Sequence, residues 1–305
     1  MENLSKITLG TAQLGTNYGI ANKKGNLTDE DAIQLLQTAW DYNIRSFDTA
    51  PAYGESERRL GMFIKNNKLN LDLKSFCICT KIGITKSDGT KKEIYEEIRA
   101  SITKSLQLLN LNKIGICLLH KTRDMYNDFV IDNLEKIQEE GMIEKFGVSV
   151  YTPKEVEDFI EKDIFKVIQI PFNIFDQRLI HLGLLDRLSL KKVIVFARSA
   201  FLQGLFFLNR DTLPIYVKPA REYLLKLDMI SEKYGLSVNE LSLRFMKSFR
   251  QIDSVILGME TLDQISENCK IFEKPILDKE LIDELLFEFK DIPESIINPS
   301  LWKKP

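Results

Sequence analysis

Eight short apolar runs, separated by longer stretches of helical periodicity, constrain the fold of this chain more than any other feature. The runs are Ile7 to Gly10, Ile44 to Asp48, Phe76 to Lys81, Ile114 to His120, Phe146 to Val150, Val167 to Pro171, Val193 to Ala197 and Ser254 to Gly258. Short β-branched and apolar runs of this kind suit buried strands rather than helices. Between them, Lys91 to Leu109 carries Ile94, Ile98, Ile102, Leu106 and Leu109 at helical spacing. Asp29-Glu30-Asp31 opens another amphipathic stretch, with its acids at the positive end of the helix dipole. Asn133 to Glu140 and Lys154 to Glu161 predict shorter helices.

Strand–helix alternation of this regularity predicts an α/β protein with a parallel sheet closed into a (β/α)8 TIM barrel. No Gly/Ser linker divides the chain, so residues 1–305 are expected to form a single barrel domain. The alternative is a doubly wound open sheet. Its dinucleotide fingerprint is missing: Gly10-Thr11-Ala12-Gln13-Leu14-Gly15 lacks the middle glycine. The spacing lengthens between Ala197 and Ser254, which predicts a long seventh βα loop rich in Phe201, Leu202, Phe206 and Phe207. Past Gly258, two further helical patterns precede a tail ending in Trp302.

Composition removes several classes of function. A net charge of −2 offers no long-range attraction to nucleic acid or anionic membranes. No apolar run approaches the ~20 residues that span a bilayer, and the N-terminus has no signal-like core, so a cytoplasmic protein is expected. Cys77, Cys79 and Cys117 sit inside apolar runs and Cys269 in a helical pattern, as reduced, buried thiols do. With two histidines in the chain, no metal centre is expected. No feature of the sequence sets an oligomeric state.

Polar residues mark where the runs stop. Asp48 ends the second run and is followed closely by Tyr53; Lys81 ends the third and His120 the fourth. In a parallel barrel these strand ends converge on one face, where the chemistry is placed. Strand alternation puts Lys81 in phase with Cys77 and Cys79, and His120 in phase with Ile116 and Leu118, so both should cap the barrel interior. A phenol with a pKa near 10 is a weak acid at neutral pH. A neighbouring ammonium is expected to lower that value and ease proton donation to a developing alkoxide. His181, in a helical stretch, is expected to be structural.

Over essentially its whole length the chain resembles the aldo-keto reductases, in a bacterial branch associated with sugar or surface-polysaccharide metabolism. The Asp48-x-x-x-x-Tyr53-Gly54 motif, Lys81 and His120 match that family's catalytic tetrad in order and spacing. The resemblance implies hydride transfer from a nicotinamide cofactor to an aldehyde or ketone, with Tyr53 as general acid, Lys81 and Asp48 tuning it, and His120 orienting the carbonyl. It also implies a cofactor site. Ser149 and Gln169 would hold the carboxamide, with Gly10, Thr11 and Asp48 nearby. Ser199, Phe201 and Gln203 would line the pyrophosphate, and Gly258, Met259, Glu260, Gln264 and Asn268 the adenosine.

Three positions depart from the family pattern. Val150 replaces an asparagine that touches the carboxamide. Arg198 stands where an aromatic ring stacks on the nicotinamide, a role a guanidinium plane can share. Gly258 and Gln264 replace the cations that receive the 2′-phosphate of NADPH, while Glu260 suits a ribose hydroxyl. The family favours NADPH and these residues favour NADH, so both cofactors remain open. Tyr18, Phe206 and Trp302 are candidates to shape a substrate pocket for a small carbonyl compound, sugar-derived in this branch. The competing readings are a cofactor-binding regulatory or scaffold protein with little turnover, and a dehydrogenase acting on a sugar alcohol.

Overall fold

In the computed structural model, residues 4–22, 24–25, 27–68, 75–85 and 88–302 are described. Eight parallel strands close a barrel in sequence order. They are β1 (Ile7–Gly10), β2 (Ser46–Asp48), β3 (Cys77–Ile82), β4 (Ile114–Leu119), β5 (Ile143–Ser149), β6 (Val167–Pro171), β7 (Ile194–Arg198) and β8 (Ser254–Gly258). Closure is made by β1 against β8, with Thr8 paired to Ile256 and the Thr8 hydroxyl 2.6 Å from that of Ser254. All eight predicted runs are strands, although β2 starts two residues later than its apolar run and β5 three residues earlier.

Several of the helices begin where a side chain satisfies a first free N–H group. α1 (Asp29–Asp41), α3 (Lys91–Leu109) and α5 (Pro153–Lys162) each open with a reciprocal capping box, Thr28 with Asp31, Thr90 with Glu93 and Thr152 with Glu155. α2 (Ser56–Asn66) follows the loop that carries Tyr53, and α4 (Asp128–Glu139) is capped by Asn127. α4 therefore starts five residues before the predicted Asn133, because Asn127 is the residue able to cap it. Short helices α6 (Arg178–His181) and α7 (Leu184–Leu190) join β6 to β7. The long stretch before β8 is a loop with 3₁₀ turns at Leu202–Phe207 and Lys218–Ala220, followed by α8 (Arg221–Tyr234) and α9 (Val238–Lys247). Beyond β8 come α10 (Leu262–Glu273), α11 (Lys279–Glu288) and α12 (Glu294–Ile297).

Strand alternation divides the core in two. Cys77, Cys79, Ile116, Leu118, Val167, Phe196 and Ile256 fill the barrel interior, and a larger shell of apolar side chains packs between strands and helices. The four cysteines are buried and form no disulfide among the described residues; burial pushes the thiols of Cys77 and Cys117 up to about 12. Among the described residues, no helix is long and apolar enough to cross a membrane, and no group of three or more His, Cys, Asp and Glu could hold a metal ion.

Candidate active site

Parity along β3 turns Lys81 inward at the C-terminal end of the barrel, where it is 1% exposed. Its Nζ donates to Asp48 Oδ1 and Oδ2, both at 2.7 Å, and to the Thr49 carbonyl at 3.0 Å. Asp48 also accepts from Gln169 Nε2 at 2.8 Å, and Gln169 Oε1 accepts from the Ser149 hydroxyl at 3.2 Å. Ends of β2, β3, β5 and β6 are thus tied by one polar chain across the barrel mouth.

Hydroxyls beneath the mouth hold the Asp48 turn. Thr11 Oγ1 donates to the Asp48 carbonyl at 2.8 Å and accepts from Ser56 Oγ at 2.6 Å, and Ser56 lies 2.9 Å from Thr49 Oγ1. Thr11 is therefore buried behind the site and supports Asp48 instead of facing the cleft. The loop that follows turns back through the Tyr53 N–H to Ala50 carbonyl bond and places the Tyr53 ring edge-on to His120, centroids 6.2 Å apart. Lys81 Nζ lies 4.9 Å from the centre of the Tyr53 ring.

The electrostatics differ from the sequence expectation at the phenol. Burial raises the Tyr53 pKa, and the Lys81 charge offsets only part of that rise. At Lys81, burial works against the ammonium, but the Asp48 carboxylate outweighs it and the pKa ends above its ordinary value. Burial, joined by the Lys81 charge, pushes His120 down to about 4, so its imidazole is neutral at pH 7. The centre is a buried ion pair beside a protonated phenol and a neutral imidazole.

A cleft of about 1030 Å³ runs from Asp48 and Tyr53 outward past β7 and β8 to α10. Its inner wall includes Gly10, Gln169 and Tyr18; its middle, Arg198, Ser199, Phe201 and Gln203; its outer end, Gly258, Glu260, Gln264 and Asn268. Met259 is not part of this wall, being 1% exposed. Two of the proposed substrate-pocket residues also lie elsewhere. Phe206 is buried against Phe175, ring centroids 4.7 Å apart, and its neighbour Phe207 faces the cleft instead. Trp302 is buried, donating to the Ser295 carbonyl at 3.1 Å. His181 sits on α6 with its ring 3.1 Å from the Gln177 amide oxygen, away from the cleft wall.

Loops after β1 and β7 meet over the middle of the cleft. Ile20 N–H donates to the Gln203 carbonyl at 2.9 Å, and the Tyr18 hydroxyl is hydrogen-bonded to the Gln203 side chain. Gly204, at φ +93°, has no room for a side chain because a Cβ would meet that of Ala21 at 2.5 Å. Arg198 lies over Tyr151, its guanidinium carbon 4.5 Å from the ring centre, and donates to the Val150 carbonyl at 2.9 Å. At the outer end, Gln264 Oε1 accepts from the Glu260 N–H at 2.7 Å, while Asn239 Nδ2 donates to Asn268 and Glu267. Asn239 Oδ1 is buried there with no partner among the described residues.

Sequence reasoning gave no role to Gly15, Tyr151 or Asn239, and it named Phe207 only as part of the seventh loop, choosing Phe206 for the pocket. A Cβ on Gly15 would lie 1.7 Å from the Tyr53 carbonyl oxygen, so only glycine lets the two loops touch. Glycine five residues after β1 was visible in the sequence, but its partner was not.

The mouth of the closed parallel barrel thus holds a buried lysine–carboxylate pair beside a tyrosine and a histidine. The chain belongs to the Aldo/keto reductase family, whose profile matches residues 6–285. It is 26% identical over 299 residues to the oxidoreductase YqkF of Bacillus subtilis, covering 93% of this chain and 92% of that one. Identity is also 26% over 302 residues to L-galactose dehydrogenase of Arabidopsis thaliana, covering 92% and 89%. D-threo-aldose 1-dehydrogenase of a Pseudomonas species is 31% identical over 171 residues, 46% of this chain and 50% of that protein. In fold, the holo form of an aldo-keto reductase from Bacillus halodurans superposes with a TM-score of 0.74 at 21% identity, covering 93% and 92%.

Proposed function

We propose that the cleft reduces an aldehyde or ketone to an alcohol, with Tyr53 as the proton donor. The observation that carries this reading is the Lys81–Asp48 pair lying against a Tyr53 ring that faces His120. Tyr53 stays protonated through the neutral range and is available to the oxygen of a carbonyl placed between it and His120. Neutral His120 orients that oxygen through a ring nitrogen without adding a cation. Lys81 stabilises the phenolate left after proton transfer, and Asp48 keeps Lys81 charged and in place.

The cleft suits a nicotinamide dinucleotide. It extends from the acid–base centre to an outer end where the orphaned Asn239 oxygen lies ready for a donor, and Gln169, backed by the Ser149 hydroxyl, brings an amide to its wall near Asp48. When bound, the nicotinamide supplies the hydride. Ser149 and Gln169 would hold its carboxamide; Ser199, Phe201 and Gln203 its pyrophosphate; Gly258, Glu260, Gln264 and Asn268 its adenosine. NADPH is the first cofactor to test, with Glu260 the residue that opposes a 2′-phosphate.

A sugar-derived carbonyl is the proposed substrate class, supported by the sugar dehydrogenases among the relatives. Their names also favour a second reading, oxidation of a sugar substrate by the same centre. Fluorescence titration with NADPH and NADH, followed by turnover of 4-nitrobenzaldehyde and of a sugar panel in both directions, tests these readings. Cofactor binding with no turnover in either direction would replace them with a regulatory, cofactor-binding role.

A further inference from the structure

The charges that line the cleft are Lys24, Asp48, Arg198, Glu260 and Glu267. Asp48 is neutralised by Lys81, and Glu260 and Glu267 belong to the outer end beside Gln264 and Asn268. Arg198 is different. Its carbon lies 4.5 Å from the Tyr151 ring centre, Nη2 donates to the Val150 carbonyl at 2.9 Å, and Nη1 donates to Ser199 Oγ at 3.2 Å. Those two bonds use two of its five N–H donors, and no carboxylate among the described residues pairs with it.

The stack and the two bonds hold the guanidinium in one place, so its remaining donors need little further ordering to meet a ligand. Its charge reaches the acid–base end of the cleft: behind burial and Lys81 it adds to the lowering of the His120 pKa, and it opposes the rise that burial imposes on Tyr18. A partly buried, pinned guanidinium with no carboxylate partner, in the middle of the cleft and within electrostatic reach of the acid–base end, is built for a planar anion, taken by charge-assisted hydrogen bonds. We propose that Arg198 selects carbonyl substrates carrying a carboxylate, such as a 2-oxo acid, a uronic acid or an aromatic aldehyde acid. Its edge receives the carboxylate while the carbonyl lies between Tyr53 and His120. The inference rests on the reductase reading of the cleft and names the acidic members of its substrate class.

Matched substrates separate the two ideas. With a saturating nicotinamide cofactor, kcat/KM is measured for 4-carboxybenzaldehyde and for its neutral methyl ester, in the native protein and in Arg198→Gln. The native protein should prefer the acid by about tenfold or more, mostly through KM, and 0.5 M salt should erode that preference. Arg198→Gln should remove the preference by lowering the acid far more than the ester. Equal use of acid and ester by the native protein overturns the proposal. So does a parallel loss for both in the variant with a raised KM for the cofactor, which would assign Arg198 to the cofactor's phosphates or ring. Calorimetric titration with 4-(hydroxymethyl)benzoate needs no turnover, so it still reads Arg198 if the reductase reading itself fails. Affinity weakened about tenfold in Arg198→Gln supports the carboxylate site, and unchanged affinity or no binding to the native protein rejects it.

Discussion

Lys81 Nζ stands 2.7 Å from each carboxylate oxygen of Asp48, with both side chains almost wholly buried. Such a pair is costly to desolvate, and removing one partner leaves the other as an uncompensated buried charge. Lys81→Met should therefore lower unfolding stability by about 3–5 kcal/mol. The double variant Lys81→Met/Asp48→Asn should recover much of that loss. Urea denaturation of the three proteins checks both statements; a single variant as stable as the native protein would contradict the pairing.

Tyr53→Phe removes the proton donor and little else, because the ring that faces His120 remains. Turnover should fall by about a hundredfold or more, while cofactor affinity by fluorescence titration stays near that of the native protein. Turnover at native rates would remove Tyr53 from the chemistry.

The pH dependence follows from opposite shifts. With Tyr53 raised above its usual value of 10.0, the alkaline limb of kcat/KM should lie above that pH. With His120 lowered from 6.5 to about 4, carbonyl orientation should persist to about pH 5 and fail as pH approaches about 4. The sign for stability is fixed by the same shift. Above pH 6.5 both folded and unfolded states hold neutral imidazole; between 6.5 and about 4 the unfolded state binds the proton more readily. His120 should then destabilise the fold as pH falls, by about 1.4 kcal/mol per pH unit within that window. His120→Asn should flatten both the acid limb and this part of the stability curve.

Gly15 and Tyr53 touch through backbone. Because a Cβ at Gly15 would meet the Tyr53 carbonyl at 1.7 Å and the Ser56 amide nitrogen at 2.6 Å, no rotamer change relieves the clash. Gly15→Ala should displace the Tyr53 loop and lower kcat by on the order of tenfold or more. Unchanged kcat with native stability would show that the loop can shift without moving the phenol.

Glu260 flanks the outer end of the cleft, where its N–H is held by Gln264. Glu260→Ala should raise the ratio of kcat/KM for NADPH over NADH, since a carboxylate repels a phosphate and accepts from a ribose hydroxyl. A constant ratio would take Glu260 out of cofactor selection.

Local periodicity was enough for the barrel. Ile7 to Gly10, Val167 to Pro171 and Ser254 to Gly258 are strands with the bounds their residues predict, and Lys91 to Leu109 is the predicted helix. Strand parity also placed Lys81 at the mouth, because a period of two leaves one choice of face once Cys77 and Cys79 point inward. Helix starts were less legible: α4 begins at Asp128, where the capping amide of Asn127 outweighs the apolar pattern.

Loops obey no such period. Ser199, Leu202 and Gln203 adopt φ values of 68°, 47° and 56°, and this left-handed run turns Phe206 into the core and Phe207 toward the cleft. The Tyr53 pKa likewise depends on burial supplied by distant segments, which outweighs the lysine that the sequence places beside it. The seat of Arg198 on Tyr151 joins β7 to the second residue past the end of β5. By itself the sequence determined the strand order, the helix pattern and the order of Asp48, Tyr53, Lys81 and His120, because these rest on repeats within a few residues. Tertiary structure alone decided which loop residues touch, which charges are paired and which remain unpaired, because those depend on backbone turns and contacts far apart in the chain.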